Sequence, residues 1–242
     1  MPKLETSIIL NVLQNGEINI KGEFAWGSNY TFLAEVCLDG RVLQAVYKPS
    51  RGERPLWDFP PASLACREAA AYLVSEALGW ELVPPTVYRM KAPLGPGSLQ
   101  FYIEHDPEMN YFSLGEAERQ RLRPVVLFDI LVNNADRKGS HLLYGDDQHL
   151  WLIDHGICFH AENKLRTVIW DFIGDPIPDN LLNDIRCFRQ LLIPGQDLYT
   201  NLQALLKQIE IHALTMRVEH LITQGQFPAP NPEERSVPWP PI

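Results

Sequence analysis

Val132-Asn133-Asn134-Ala135-Asp136-Arg137-Lys138-Gly139-Ser140-His141, followed by Ile153-Asp154-His155-Gly156, is the stretch on which the reading of this chain turns. Each segment sets one carboxylate, Asp136 or Asp154, beside a glycine-containing turn. Four residues separate Asp136 from His141. The stretch after Lys138 reads as a hairpin, Leu142 to Tyr144 and Leu150 to Ile153, turning at Gly145-Asp146-Asp147. Its second strand delivers Asp154. A strand that ends in an acid and a turn aims that acid into a cleft.

Working outward, the chain before the stretch reads as strands and turns. Ile18 to Ile20, Tyr30 to Val36 and Val42 to Tyr47 carry β-branched and aromatic residues, and Asp39-Gly40 is a hairpin turn. Lys48 ends the third of these. A Pro-rich segment, Ser50 to Pro61, precedes a helix from Ser63 to Gly79, where glycine is a natural stop. Val83 to Val87 and Ser98 to Glu104 return to extended chain, and His105-Asp106-Pro107 marks a boundary. Beyond it the periodicity turns helical: Gly115 to Leu131, Asn180 to Leu192 and Leu198 to Gln224. Residues 227–242 are dense in proline and read as a loose tail. The expectation is an α+β, bilobal fold. A β-rich N-lobe spans 1–104, a mostly helical C-lobe spans 105–226, and a Pro-rich tail spans 227–242.

Composition limits the function. The 242 residues carry a formal net charge of -9 and are 45% hydrophobic. That is a globular protein with a real core, and not one that binds nucleic acid broadly, which needs a basic surface. Cys37, Cys66, Cys158 and Cys187 are far apart with no zinc spacing, which points to thiols in a reducing compartment. Neither a signal-peptide run nor a bilayer-spanning stretch occurs, so a cytoplasmic location is expected, with peripheral membrane contact left open.

Phosphoryl transfer is mostly positioning and charge neutralisation. It needs a lysine on the phosphates, an acid to hold that lysine, metal ligands, and an acid at the nucleophile. Lys48, Glu68, Asp154 and Asp136 stand in that order. Singly, each has an ordinary reading: a solvated lysine, an exposed helix charge, a turn-forming acid, a loop acid paired with Arg137. Together, in this order and spacing, the functional reading outweighs them. Arg137 and Lys138 are placed to face a γ-phosphate or an anionic substrate, or are a solvated basic pair. Gly27, Ser28 and Asn29, within Phe24 to Thr31, form a candidate phosphate cover. His141 either joins Asp154 as a metal ligand, where imidazole favours Mn²⁺ over Mg²⁺, or hydrogen-bonds the loop. His155, Cys158 and His160 lack a zinc-hydrolase framework, and no Walker loop or nucleophile elbow exists.

Tyr47-Lys48-Pro49, Arg67-Glu68-Ala69-Ala70-Ala71-Tyr72-Leu73 and Val83-Pro84-Pro85-Thr86 resemble the N-lobe of the phosphatidylinositol 3-/4-kinase superfamily. Asn134-Ala135-Asp136-Arg137-Lys138-Gly139 is similar to its catalytic loop, and Ile153-Asp154-His155-Gly156 to its metal turn. The likeness is greatest to type II phosphatidylinositol 4-kinases and bacterial relatives, one uncharacterised subfamily of which the segment from Asn133 to Trp170 also resembles. The resemblance runs from about Trp26 to Trp170. It implies ATP in an interlobe cleft with Mg²⁺ or Mn²⁺, and γ-phosphate transfer to a hydroxyl of a lipid headgroup, small molecule or protein. By position, Lys48 would contact the phosphates and Glu68 would orient it. Asp136 would serve the acceptor hydroxyl and Asp154 the metal. Gln100, Phe101, Tyr102, Ile103 and Glu104 would form the hinge beside adenine. His141 stands where the family has a metal-binding Asn. That exchange keeps two rivals open, a nucleotide-binding pseudokinase acting as a scaffold and AMP transfer on the same fold.

Overall fold

The computed structural model describes residues 5–24, 29–145 and 149–242. It opens with a helix that the strand-rich reading of this region did not anticipate, α1 (Thr6–Asn15). Strands β1 (Glu17–Glu23), β2 (Phe32–Leu38) and β3 (Arg41–Pro49) follow, the last two joined at Asp39-Gly40. Helix α2 (Leu64–Leu78) leads to β4 (Thr86–Arg89) and β5 (Gly97–Phe101). The five strands form one antiparallel sheet in the order β1-β2-β3-β5-β4.

Alternation along β3 decides how this lobe is built. Leu43, Ala45 and Tyr47 point to one face and are buried with Ile9, Val12 and Leu13 of α1 and with Leu99. Val46 and Lys48 point to the other face, because successive side chains on a strand take opposite sides. The sheet is therefore pinned by α1 on its outer face, and Lys48 is delivered to the inner one. Ridding water of each large side chain in such a core contributes about 1.5–3 kcal/mol.

Helix α2 lies on the inner side, and eleven of its fifteen residues are buried. Ala69, Ala70 and Ala71 let it approach its neighbours closely. Gly79 ends it at φ 69°, donating its N–H to carbonyls of Ser75 and Glu76, a left-handed stop that only glycine adopts freely. Ala70, Tyr72 and Val74 join the core of the second lobe, so α2 belongs to the packing of both.

The second lobe is helical apart from a short hairpin. Its elements are α3 (Glu116–Arg119), α4 (Arg123–Val132), β6 (Leu142–Tyr144), β7 (Leu150–Leu152), α5 (Asp179–Leu191), α6 (Asp197–Gln203) and α7 (Gln208–Gln224). The expected single helix from Gly115 to Leu131 is broken by a 3-10 turn, Gln120–Leu122. Pro124 is the reason: it lacks an N–H and fits only the first turn of a new helix. The expected helix from Leu198 to Gln224 is also two. Lys207 starts α7, and the Glu210 carboxylate accepts its backbone N–H at 2.8 Å.

Residues 227–242, read from sequence as loose, run back along this lobe. Phe227 is buried against Phe172. Thr167 and Gly139 donate backbone N–H groups to the carbonyls of Ser236 and Pro241, at 3.0 and 2.8 Å. No described helix is long and apolar enough to cross a membrane.

Candidate active site

The two lobes meet at Lys48, Glu68 and Asp154. Lys48 Nζ donates to Glu68 Oε1 and, at 3.0 Å, to Asp154 Oδ1. Glu68 is buried on α2, and its second oxygen accepts the His155 backbone N–H at 2.9 Å. Asp154 takes the left-handed conformation, φ 62°, two residues past the end of β7. That strained turn is costly for most residues and tolerated by Asp. It swings the carboxylate away from the hairpin and onto Lys48. Burial pulls the Lys48 ammonium down, but Asp154 and then Glu68 hold it above its ordinary value. Lys48 in turn holds the Asp154 carboxyl well below the usual carboxylate range, against burial.

The catalytic-loop candidate is built on α4. Asn133 ends that helix at φ 52°, and its side chain ties down the carbonyls of His160 and Glu162 at 2.9 and 2.7 Å. The Asn134 side chain donates to Asp129 Oδ1 at 3.0 Å and accepts the Asp136 N–H at 2.9 Å. Asp136 is thereby fixed facing the cleft, with Lys138 Nζ 3.4 Å away. Burial raises the Asp136 carboxyl, although Lys138 opposes it.

Arg137 is not in the cleft. Its guanidinium is fully buried beneath the loop, where it donates to both Asp129 oxygens between 2.9 and 3.1 Å and to the Ile153 carbonyl at 3.0 Å. Its Nη2 lies 2.8 Å from His155 Nε2. The expected contact with a γ-phosphate is thus replaced by a brace joining the end of α4, the Asp136 loop and the Asp154 turn.

His141 Nε2 lies 3.5 Å from Asp154 Oδ2. Burial pushes its pKa down to about 4, so the imidazole is neutral and has one ring lone pair: on Nδ1 it accepts the Lys138 backbone N–H at 3.5 Å, and in the other tautomer it lies on Nε2, open to a ligand. Among the described residues no three His, Cys, Asp or Glu side chains gather as a metal cage. A carboxylate beside a neutral imidazole still fits a divalent ion that draws its remaining ligands from phosphate oxygens and water.

Two cavities flank this group. The first, about 370 Å³, is lined by Val46, Lys48, Leu143, Ile153, His141 and Asp154, and by Gln100 and Phe101 at the end of β5 with Tyr102 and Ile103 just beyond it. Asn29 also lines it; Gly27 and Ser28 lie outside the described residues. Glu104, expected in the hinge, does not line it. Gln100 is held by a 2.9 Å bond from its Nε2 to Thr86 Oγ1. The second cavity, about 310 Å³, lies on the Asp136 side and shares Lys48, His141 and Asp154.

Sequence reasoning missed Asp129 and the role of His155. Asp129 sits alone among Val125, Val126, Leu127, Phe128, Ile130, Leu131 and Val132. A lone acid in an apolar helix just before a loop arginine was the available signal, because such a charge is buried only when paired.

Several solved structures share the fold. The Golgi casein kinase with Mn/ADP bound matches with TM-score 0.53 and 16% identity, covering 98% of this chain and 80% of that one. The hydra Fam20 structure with sugar matches at 0.56 and 14%, covering 92% and 89%. The Helicobacter pylori proinflammatory kinase CtkA matches at 0.53 and 11%, covering 89% and 94%. At these identities the likeness is one of fold. An antiparallel sheet lobe and a helical lobe meeting at a Lys-Glu-Asp cluster place the chain in the bilobal, protein-kinase-like fold class. Within that class, the chain belongs to the family of Protein Rv2133c of Mycobacterium tuberculosis (strain ATCC 25618 / H37Rv). It is 40% identical to that protein over 264 aligned residues, covering 95% of this chain and 94% of that one. No family model matches the chain.

Proposed function

We propose that the protein is an ATP-dependent phosphotransferase that moves the γ-phosphate to a hydroxyl group. The observation that carries this reading is the Lys48 ammonium held between Glu68 and Asp154, at the junction of one cavity beside the β5 segment and another beside Asp136. The likeness to a kinase solved with Mn/ADP bound supports nucleotide and divalent metal as ligands.

In this mechanism the first cavity takes the adenine end of ATP against Gln100 to Ile103. Lys48, released from Asp154 as phosphate enters, neutralises phosphate charge while Glu68 keeps it aimed. Asp154 and His141 would hold the divalent ion, which supplies positive charge to the phosphate oxygens. Asp136 accepts the proton of the acceptor hydroxyl as that oxygen bonds to the γ-phosphorus. The bond from the γ-phosphorus to the β-γ bridging oxygen breaks, and ADP leaves with the electron pair. Its raised carboxyl makes Asp136 a better proton acceptor than an exposed aspartate. The finer likeness to phosphatidylinositol kinases rests on the Lys48, Asp136 and Asp154 motifs, which handle phosphate and leave the acceptor open. Four unpaired cysteines are consistent with action in the cytoplasm.

Asp154→Ala is expected to lower metal-dependent turnover of ATP at least about 100-fold. Metal-independent ATP binding that survives the change with turnover intact would sink the reading. His141 favours a second reading, nucleotide binding without transfer. His141→Asn separates them: a faster Mg²⁺-supported rate supports a working kinase with altered metal preference, and no turnover in either form supports the scaffold. Label carried from the α- rather than the γ-phosphate would point to AMP transfer.

A further inference from the structure

The cavity on the Asp136 side is small and opens to solvent between Tyr30 and Ile242, both more than half exposed. Tyr30, Leu64, Ala65 and Ile157 give it apolar walls, and Ile242 lines it from the strap that runs back from Ser236. That strap is tied to the catalytic-loop candidate itself: Gly139 donates to the Pro241 carbonyl at 2.8 Å, and the Trp170 indole donates to the Ser236 carbonyl at 3.3 Å. A Cβ on Gly139 would come within 2.7 Å of the Phe112 ring, so the loop needs glycine against Phe112, and 3.6 Å from the Pro241 carbonyl, ordinary contact with the strap. At about 310 Å³ the space suits a small molecule, at the low end of ligand pockets.

Charge narrows the acceptor further. Four carboxylates line the cavity, Glu53, Glu68, Asp136 and Asp154, against two lysines. Both lysines are already paired, Lys48 with Glu68 and Asp154, and Lys138 with Asp136. No arginine is in the lining. Glu53 uses Oε1 to accept the Ala65 N–H at 3.0 Å, at the start of α2, but among the described residues it has no ion-pair partner. A phosphate-bearing acceptor would meet uncompensated negative charge here, whereas an ammonium group would find Glu53 waiting.

We propose that this cavity is the acceptor pocket and that it takes a small alcohol bearing an amine, selected by Glu53 and by the strap residue Ile242. The inference rests on the phosphotransferase reading. In the reaction the alcohol O–H loses its proton to Asp136, the oxygen–phosphorus bond forms, ADP departs, and the ammonium stays on Glu53 unchanged.

The test uses the full chain with γ-labelled ATP and Mn²⁺. One set of acceptors is ethanolamine, serinol and other small amine-bearing alcohols. The others are myo-inositol, glycerol 3-phosphate, phosphatidylinositol vesicles and dephosphorylated casein. Label is expected on an amine-bearing alcohol, at least tenfold above every other arm. Glu53→Gln retains the oxygen that accepts the Ala65 N–H and removes only the charge. It should raise the KM for the amine-bearing alcohol at least tenfold with the melting temperature unchanged. Ile242→Trp, which fills the cavity, should cut the same transfer at least tenfold. Label on vesicle lipid, casein or glycerol 3-phosphate overturns the proposal, as does hydrolysis of ATP with none of the amine-bearing alcohols labelled. Absence of any metal-dependent ATP binding or turnover strikes the phosphotransferase reading itself, and the same samples report it.

Discussion

Arg137 and Asp129 show how much of this site is held by residues that never meet a substrate. Both side chains are fully buried, and each would be prohibitively costly alone. Paired, they join the end of α4, the Asp136 loop and the Asp154 turn, reinforcing backbone bonds such as Ala135 N–H to the Ile157 carbonyl at 3.0 Å and Ile153 N–H to the His141 carbonyl at 3.1 Å. Arg137→Ala leaves Asp129 as a lone buried charge and should destabilise the fold by roughly 3–5 kcal/mol, read as a lower urea midpoint. The double replacement Arg137→Leu with Asp129→Leu should recover most of that loss, since no unpaired charge remains. A residue that faced phosphate would behave oppositely, with turnover falling and stability retained. That outcome for Arg137→Ala would refute the brace. The sequence placed Arg137 next to Asp136 and so suggested a shared task. It carried no sign of which way the guanidinium points, because adjacent residues in a loop have no fixed relative direction.

At the scale of elements, delivery of Lys48 depends on how closely β5 lies against β3. Gly97 pairs with Pro49, and Ser98 with Lys48. A Cβ at Gly97 would collide with the Lys48 carbonyl and reach Tyr47 Cε2 at 2.8 Å and Pro49 Cα at 2.9 Å. Gly97→Ala is therefore expected to push the strands apart at the lysine, costing about 1–3 kcal/mol. It should also weaken ATP binding several-fold. Equilibrium unfolding and titration with a fluorescent ATP analogue check the two effects, and unchanged values in both would show that the sheet has slack here. The strands themselves were legible in the sequence because β-branched residues, alternation and the Asp39-Gly40 turn agree with one another. The helix α2 was legible from its composition and from Gly79. Pro124 was also visible, and it splits the helix expected from Gly115. Periodicity alone hid it, because Leu122, in the turn before α4, keeps helical spacing with Val125 and Val126 within it. The strap was hidden for a different reason. Residues 228–242 are held chiefly by backbone carbonyls such as those of Ser236 and Pro241, and a carbonyl is the same in every residue.

For the whole molecule, the seam between the lobes decides how stability follows pH. Arg67 of α2 reaches across it to Glu210 of α7, and to the Cys158 carbonyl at 2.6 Å. The Leu152 N–H meets the Leu82 carbonyl at 2.7 Å. His141 and His155 are buried in the same seam. Burial, against the pull of Asp154, lowers the His141 pKa from 6.5 to about 4, and it drives His155 well below its ordinary value. Both imidazoles are therefore neutral when folded and free to take a proton when unfolded. As pH falls below about 6.5, the unfolded chain binds protons that the folded chain refuses, so stability must drop. Above 6.5 neither state binds them and stability is flat on this account. The His141 share is lost progressively between 6.5 and about 4, and over that window it amounts to roughly 3 kcal/mol. His155 adds a loss of the same sign. Urea unfolding of metal-free protein in chelator, at steps from pH 7.5 to 4.5, should show the midpoint falling once pH passes below 6.5. His141→Asn should flatten that fall, because the unfolded chain then has one fewer site to protonate. A midpoint that stays level from pH 7 to 5 would mean that these histidines are protonated in the folded protein. A protonated His141 has no free lone pair at Nε2, and its place beside Asp154 would then be that of an ion-pair partner, not of a metal ligand.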